Sequence, residues 1–189
     1  METVAAIVLT VPREFVDVLK QQTADLSRVR VVEGGAQRWQ SVQRGFRALP
    51  NDCDPVVIHD VARPFVDPQI IQHGIELAQK GSCVLTALPA SDTLKQVDGP
   101  KVEKTLDRRA VIQVQTPQFF PRDVLKQTYA ALEQKSIPDL FLTDEAGLVE
   151  YLGYGVQWIE GNERLRKVTR EEDLRWADWM ASTIGKGST

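Results

Sequence analysis

An acid and a base stand three residues apart in His59-Asp60-Val61-Ala62-Arg63-Pro64, directly after the apolar run Pro55-Val56-Val57-Ile58. Charges delivered to the end of a buried strand are costly unless they pair or bind something charged. Either an Asp60–Arg63 pair closes the loop, or the loop faces a charged ligand; spacing alone does not choose. His59 fits a hydrogen-bonded structural group as well as a catalyst. Glu33-Gly34-Gly35-Ala36-Gln37-Arg38 offers glycines whose backbone N–H groups can approach a ligand, although a Gly-Gly pair equally marks a plain turn. Thr116-Pro-Gln-Phe-Phe-Pro-Arg122 reads as a rigid, two-proline loop that mounts a guanidinium suited to phosphate. Thr143-Asp144-Glu145 is a helix cap with acids in its first turn, or a place where a hydroxyl and N–H groups hold an anion. Arg164, Arg166, Lys167 and Arg170 crowd one loop, as a solvated basic stretch or as one that aims Lys167 at a phosphate.

Other chemistries fit poorly. Two histidines, His59 and His73, leave few options for a hydrolytic triad, and no GxSxG elbow is present. Neither histidine has the spacing of a zinc ligand, and Cys53 and Cys83 are too far apart for a CxxC site or a disulfide framework. Walker and GxGxxG loops are absent. A net charge of -3 supplies no basic field for nucleic acid. The longest apolar run, Val4 to Val11, is far short of the roughly 20 residues of a membrane span, and Glu2 stands where a secretory leader needs a basic residue. The expected setting is the cytoplasm. Phosphate handling by Asp, Arg, Thr and Lys groups is what remains.

The elements that position these groups follow from apolar patterning. Strands are expected at Val4–Leu9, Val29–Val32, Pro55–Ile58, Cys83–Leu88 and Val156–Ile159. Helices are expected over Arg13–Gln22, with Phe15, Val18 and Leu19 as its apolar face, and over Gln37–Leu49. Further helices follow at Asp67–Lys80, Arg122–Lys135 and Asp144–Leu152, and from a Thr169–Glu172 capping box to about Ser182. Strand and helix alternating in this way imply a doubly wound, mostly parallel α/β sheet, whose ligands bind beyond the C-terminal ends of strands. The short, half-polar pieces between about 90 and 121 break the rhythm and read as a projecting β-arm. With 189 residues, 42% hydrophobic and 26% charged, the chain suits one globular domain.

Taken together, the motifs resemble the 2-C-methyl-D-erythritol 4-phosphate cytidylyltransferases. Gly34-Gly35-x-x-Arg38-x-x-Ser41-Val42, His59-Asp60-x-Ala62-Arg63-Pro64, Asp92-Thr93 and Thr105-x-Asp107-Arg108 come in the family's order. Thr116-Pro117-Gln118-Phe119-Phe120, Thr143-Asp144-Glu145, Glu160-Gly161 and Lys167-Val168-Thr169 complete the series over nearly the whole chain. The resemblance implies a Rossmann-like nucleotidyltransferase fold and cytidylyl transfer from CTP to methylerythritol phosphate, with Mg²⁺, in non-mevalonate isoprenoid synthesis. It places Gly35 and Ser41 at the nucleotide, and Asp60 at the metal and at the ribose or phosphate region. Lys167 falls near the α-phosphate, and Arg63, Thr105, Arg122 and Thr143 around methylerythritol phosphate. Arg122 and Lys167 match the pair that positions the substrate phosphate. It also implies a homodimer in which the 90–121 arm completes the neighbour's site.

Departures accompany the likeness. The family's first strand and its AAGxGxRM loop have no counterpart, so residues 1–189 read as a single, incomplete domain with an open sheet edge or gap and impaired turnover. Ala36 stands where an acid is often found, Ala130 where a threonine often contacts substrate, and Glu163-Arg-Leu-Arg166 lacks the usual Asn. A non-catalytic sugar-phosphate-binding or dimerising relative, and a cytidylyltransferase for ribitol 5-phosphate, are the competing expectations.

Overall fold

The computed structural model describes residues 4–134 and 137–184. Each apolar run becomes a strand, and the amphipathic stretches between them become helices. In chain order these are β1 (Ile7–Val11), α1 (Val16–Gln22), β2 (Val29–Glu33), α2 (Arg38–Ala48), β3 (Val56–Ile58), α3 (Pro68–Gln79) and β4 (Cys83–Pro89). There follow β5 (Lys95–Asp98), β6 (Lys101–Thr105), β7 (Ile112–Phe120), α4 (Arg122–Leu132), α5 (Glu145–Tyr151), β8 (Val156–Glu160) and α6 (Glu171–Ile184). The expected end of α4 at Lys135 lies outside the described residues.

Four strands, in the order β3-β7-β4-β8, form the main sheet. β4 and β8 pair in parallel, and β7 runs antiparallel between β3 and β4. Period-2 alternation sends neighbouring residues to opposite faces, which is how one sheet feeds two helical layers. Phe120, Leu85 and Ala87 pack with Leu125 and Tyr129 of α4 and Val149 of α5. Phe119, Val84 and Ile159 pack on the other side with Ala78 of α3. The fold is therefore the expected doubly wound α/β type. β1 and β2 form a separate parallel pair, so β1 and β3 each keep one edge unpaired among the described residues.

β7 departs from expectation. Residues 112–120 belong to the main sheet, and only the fully exposed hairpin β5–β6 projects. The arm is thus narrower than 90–121. Pro117 argues against a central strand because it has no N–H to donate, and the strand accommodates it with an irregularity. The β4–β7 register passes from Leu85↔Gln118 to Thr86↔Gln115, leaving Thr116 and Pro117 outside the ladder. The two-proline loop expected at Thr116–Pro121 is therefore mostly a buried strand.

Local signals were more faithful at α3. Asp67 accepts a hydrogen bond from Gln69 N at 2.9 Å, Pro68 takes the first helical position, and Gly81 follows the end with φ of 92°. α1 is less well covered: Phe15 and Val18 are half exposed rather than buried. Cys53 and Cys83 are both free thiols. No described helix is long and apolar enough to cross a membrane.

Candidate active site

β3 ends at Ile58, and the chain then turns so that the next residues face the start of α2 and the loop before α6. Asp60 lies at the centre. Its Oδ2 is 2.9 Å from Lys167 Nζ and 4.0 Å from Arg63 Nε, and its Oδ1 accepts from Arg38 Nη2 at 3.3 Å and Nε at 3.4 Å. Burial alone would raise the Asp60 pKa, but Lys167 and Arg38 outweigh it and hold the carboxyl below its usual range. Arg63 donates to the Leu165 carbonyl through Nη1, while its buried Nε has no hydrogen-bond partner among the described residues. The simple Asp60–Arg63 pair allowed by spacing is thus the loosest contact in the cluster. A buried guanidinium N–H left without a hydrogen bond is an unsatisfied donor beside Asp60.

His59 is structural. Its Nε2 donates to the Arg63 carbonyl at 2.9 Å, which leaves Nδ1 to accept from the Thr116 hydroxyl at 3.1 Å. Thr116 Oγ1 in turn accepts from Asp60 N–H at 3.0 Å. Burial lowers the His59 pKa, in keeping with the neutral ring this network requires. The Thr116-Pro117 interruption of β7 therefore has a use: it frees the threonine hydroxyl to fix the Asp60 loop.

The Gly34-Gly35 loop wraps the start of α2. Gly34 N donates to the Val11 carbonyl and Gly35 N to Ser41 Oγ at 2.9 Å, so both N–H groups are engaged within the chain rather than presented to a ligand. A Cβ on Gly35 would lie 2.3 Å from Gln40 Cβ, so the tight turn requires glycine. The turn delivers Arg38, the arginine of the Gly34-Gly35-x-x-Arg38 motif, into the site. Arg38 bridges Asp60 and Glu145, whose Oε2 it meets at 2.5 Å across 107 residues of sequence. Burial opposes the charge of Arg38, yet the two carboxylates raise its pKa. Asp144, not Thr143, caps α5, accepting from Gly147 N at 2.8 Å. Gln118, buried in β7, donates to Asp144 at 2.7 Å and accepts from Ala146 N at 3.3 Å. Thr143 sits exposed beside this cap.

Lys167 owes its position to its neighbours. Val168 N donates to the Ala62 carbonyl at 2.8 Å, tying the Lys167 loop to the Asp60 loop. Beyond it, Asp173 rather than Glu172 closes the start of α6. Its Oδ2 accepts from Thr169 N and Arg170 N, both at 3.0 Å, and its Oδ1 from Arg166 Nη2 at 2.6 Å. These bonds lower the Asp173 pKa to about 2. A depressed folded-state pKa stabilises the fold above the ordinary carboxylate value of 3.8 and loses that contribution as pH falls toward about 2. Wild-type Tm should therefore fall more steeply than that of Asp173→Asn across this window. Parallel acid profiles in a pH-resolved melting series would refute this.

Two predicted residues lie elsewhere. Arg122 starts α4, where its N–H donates to Asp54 Oδ1 at 2.9 Å and Nη1 to the Cys53 carbonyl at 3.2 Å, with the guanidinium over Phe46. Asp54 precedes β3 and Asp60 follows it, so within one chain Arg122 and Asp60 stand on the order of 15–20 Å apart. Thr105 is on the projecting hairpin, accepting from Lys95 Nζ at 2.6 Å. Among the described residues no three His, Cys, Asp or Glu side chains gather into a metal cage. A single carboxylate beside phosphate-binding cations does fit Mg²⁺, which commonly takes one or two protein carboxylates and completes its shell with substrate phosphates and water. Asp60 is the one carboxylate among these cations that such an ion would use.

A mixed α/β sheet with an acid, two guanidinium groups and an ammonium gathered beyond a strand end is chemically suited to phosphate, the arrangement of a nucleotidyltransferase-type fold. Residues 1–182 match the family model of IspD, 2-C-methyl-D-erythritol 4-phosphate cytidylyltransferase. The chain belongs to that family. It is 44% identical over 147 residues to a bifunctional enzyme IspD/IspF of Solidesulfovibrio magneticus, covering 77% of this chain and 36% of the relative. It is 39% identical over 177 residues to a 2-C-methyl-D-erythritol 4-phosphate cytidylyltransferase of Frankia casuarinae, covering 93% and 64%. The crystal structure of 4-diphosphocytidyl-2C-methyl-D-erythritol synthase from Anaerococcus prevotii superposes with a TM-score of 0.85 at 26% identity, over 94% of this chain and 79% of that one. The chain thus spans from about a third to under two thirds of the length of these curated relatives.

Proposed function

We propose that the chain is a cytoplasmic enzyme that carries out cytidylyl transfer from CTP to 2-C-methyl-D-erythritol 4-phosphate, in isoprenoid biosynthesis. The observation that carries this reading is Asp60 held among Lys167, Arg38 and Arg63, with the Arg63 Nε unpartnered. A phosphate oxygen of methylerythritol phosphate attacks the α-phosphorus of CTP, the bond to the bridging oxygen breaks, and pyrophosphate leaves. Such a displacement needs alignment and cations facing the charge that builds on the phosphoryl oxygens more than it needs covalent chemistry. Lys167 exchanges Asp60 for phosphate, and Arg63 Nε supplies a preplaced donor. A divalent cation held by Asp60 would neutralise triphosphate charge and orient the leaving group. Gly35 and Ser41 shape the nucleotide side of the site, and Thr143 lies at its rim.

The position of Arg122 supports a homodimer. It cannot reach the Lys167 of its own chain, so it and Thr105 serve a neighbour's site, with the β5–β6 hairpin as the reaching element. The relatives named above are cytidylyltransferases or bifunctional enzymes that include one, which favours this reading over a non-catalytic binder or an enzyme for ribitol 5-phosphate.

Calorimetry with methylerythritol phosphate is the first test. Lys167→Ala and Arg122→Ala should each weaken binding roughly 10–100-fold, the worth of one charge-assisted contact. Mixing the two variants should recover part of it, because a mixed dimer holds one intact site. No recovery would sink the shared site, and no binding by the wild type would sink the substrate assignment. Pyrophosphate release with CTP and Mg²⁺, scored against ribitol 5-phosphate, then separates transfer from mere binding.

A further inference from the structure

Glu145 is a costly residue to bury. It is the first residue of α5 and is completely excluded from solvent, and burial raises its pKa. One oxygen meets Arg38 at 2.5 Å; the other, Oε1, is buried with no hydrogen-bond partner among the described residues. The Tyr129 hydroxyl is likewise buried and unpartnered, and its pKa is pushed well up by burial and then by the charge of Glu145. The carboxylate therefore relies on Arg38 for its compensating charge. That dependence runs both ways. Arg38 has a short bond to Glu145 and only long ones, 3.3 and 3.4 Å, to a single oxygen of Asp60.

We propose that Glu145 is a positioning residue: it anchors the Arg38 guanidinium so that Asp60 is met through Oδ1 alone and keeps Oδ2 for a displaceable cation. A guanidinium left to itself beside a carboxylate closes to a two-pronged pair with both oxygens. The anchor prevents this, because Nη1 is held on the α5 side by a charge that cannot relax into water. Asp60 Oδ2 then faces Lys167, whose side chain is 42% exposed and can turn to an incoming phosphate. The inference rests on the reading of Asp60 as the acid that faces ligand, but it concerns the ligand-free protein and is tested there.

The measurement is a crystal structure of the free protein and its variants, read at the Arg38 guanidinium. In Glu145→Gln, Arg38 should swing onto Asp60 and meet both of its oxygens. Glu145→Asp, which keeps the charge but withdraws it by one methylene, should move the guanidinium the same way by less. A merely structural role leaves Arg38 on Oδ1 alone, and that result in a folded variant overturns the proposal. Should neither variant fold, the wild type decides. A guanidinium held at both ends rotates slowly and should give resolved Arg38 Nη signals; averaged signals overturn the anchor. Loss of cytidylyl transfer in the Proposed function assays leaves this result standing, so the two readings fail separately.

Discussion

Gly74→Ala should lower stability by about 3 kcal/mol or more, equivalent to a Tm drop of roughly 6–12 °C for a domain of this size. On intrinsic propensity the sign would be opposite, since alanine in a helix interior is favoured over glycine by about 1 kcal/mol. The context reverses it. Gly74 is, with Ala78, one of the two buried residues of α3, and a Cβ there would sit 2.2–2.4 Å from Phe119 Cε2, Cζ and Cδ2. Phe119 is fully buried between β4 and α3, so its ring has nowhere to go without displacing Val84 or Ala78. Gly45→Ala supplies the graded comparison. Its Cβ would crowd Thr10 Cγ2 at 2.9 Å and meet Val8 Cγ1 at an ordinary 3.9 Å, on the less enclosed β1–β2 pair. A smaller loss is expected there. Thermal denaturation of the two variants is the check, and a Gly74→Ala protein as stable as the wild type would show that α3 does not press on Phe119 as described.

The same segment marks where sequence stops being sufficient. Apolar runs of strand length, Asp67-Pro68 and Gly81 place most elements because each depends on neighbours within a few residues. β7 resists because Pro117, read locally, denies a central strand; only the partners of Gln115 and Gln118 on β4 explain how two residues step out of the ladder. Glu172 and Asp173 are indistinguishable as caps until Arg166, Thr169 and Arg170 converge on one of them. Asp60, Arg63 and Lys167 were legible as chemistry, and the fold brings them together. Arg38 was visible in its motif, but its purpose depends on Glu145, 107 residues away, which looks like an ordinary acid of a helix start. Arg122 was legible as a phosphate-binding type, but its mount at Cys53 and Asp54, before β3, is visible only in the fold.

Asp60→Asn should separate the structural and chemical parts of the site. Asparagine keeps an oxygen that can accept from Arg38 or Lys167 but removes the charge that holds Lys167, Arg38 and Arg63 together. Three cations then face each other with only Glu145 to balance them. Breaking a fully buried pair costs about 3–5 kcal/mol, but Lys167 stays in contact with water, so about 1–3 kcal/mol is expected here. Cytidylyl transfer should fall at least roughly 100-fold in kcat/KM, the usual loss when one group that stabilises developing charge is removed. The double variant Asp60→Asn/Lys167→Met isolates the structural loss, because it also removes a cation of the transfer site. Removing one cation with the anion relieves the repulsion, so Tm should recover toward the wild type while transfer does not. Urea or thermal melts and pyrophosphate release give both readings from the same preparations. If Asp60→Asn keeps its rate, the acid at the end of β3 is not where the nucleotide's charge is met.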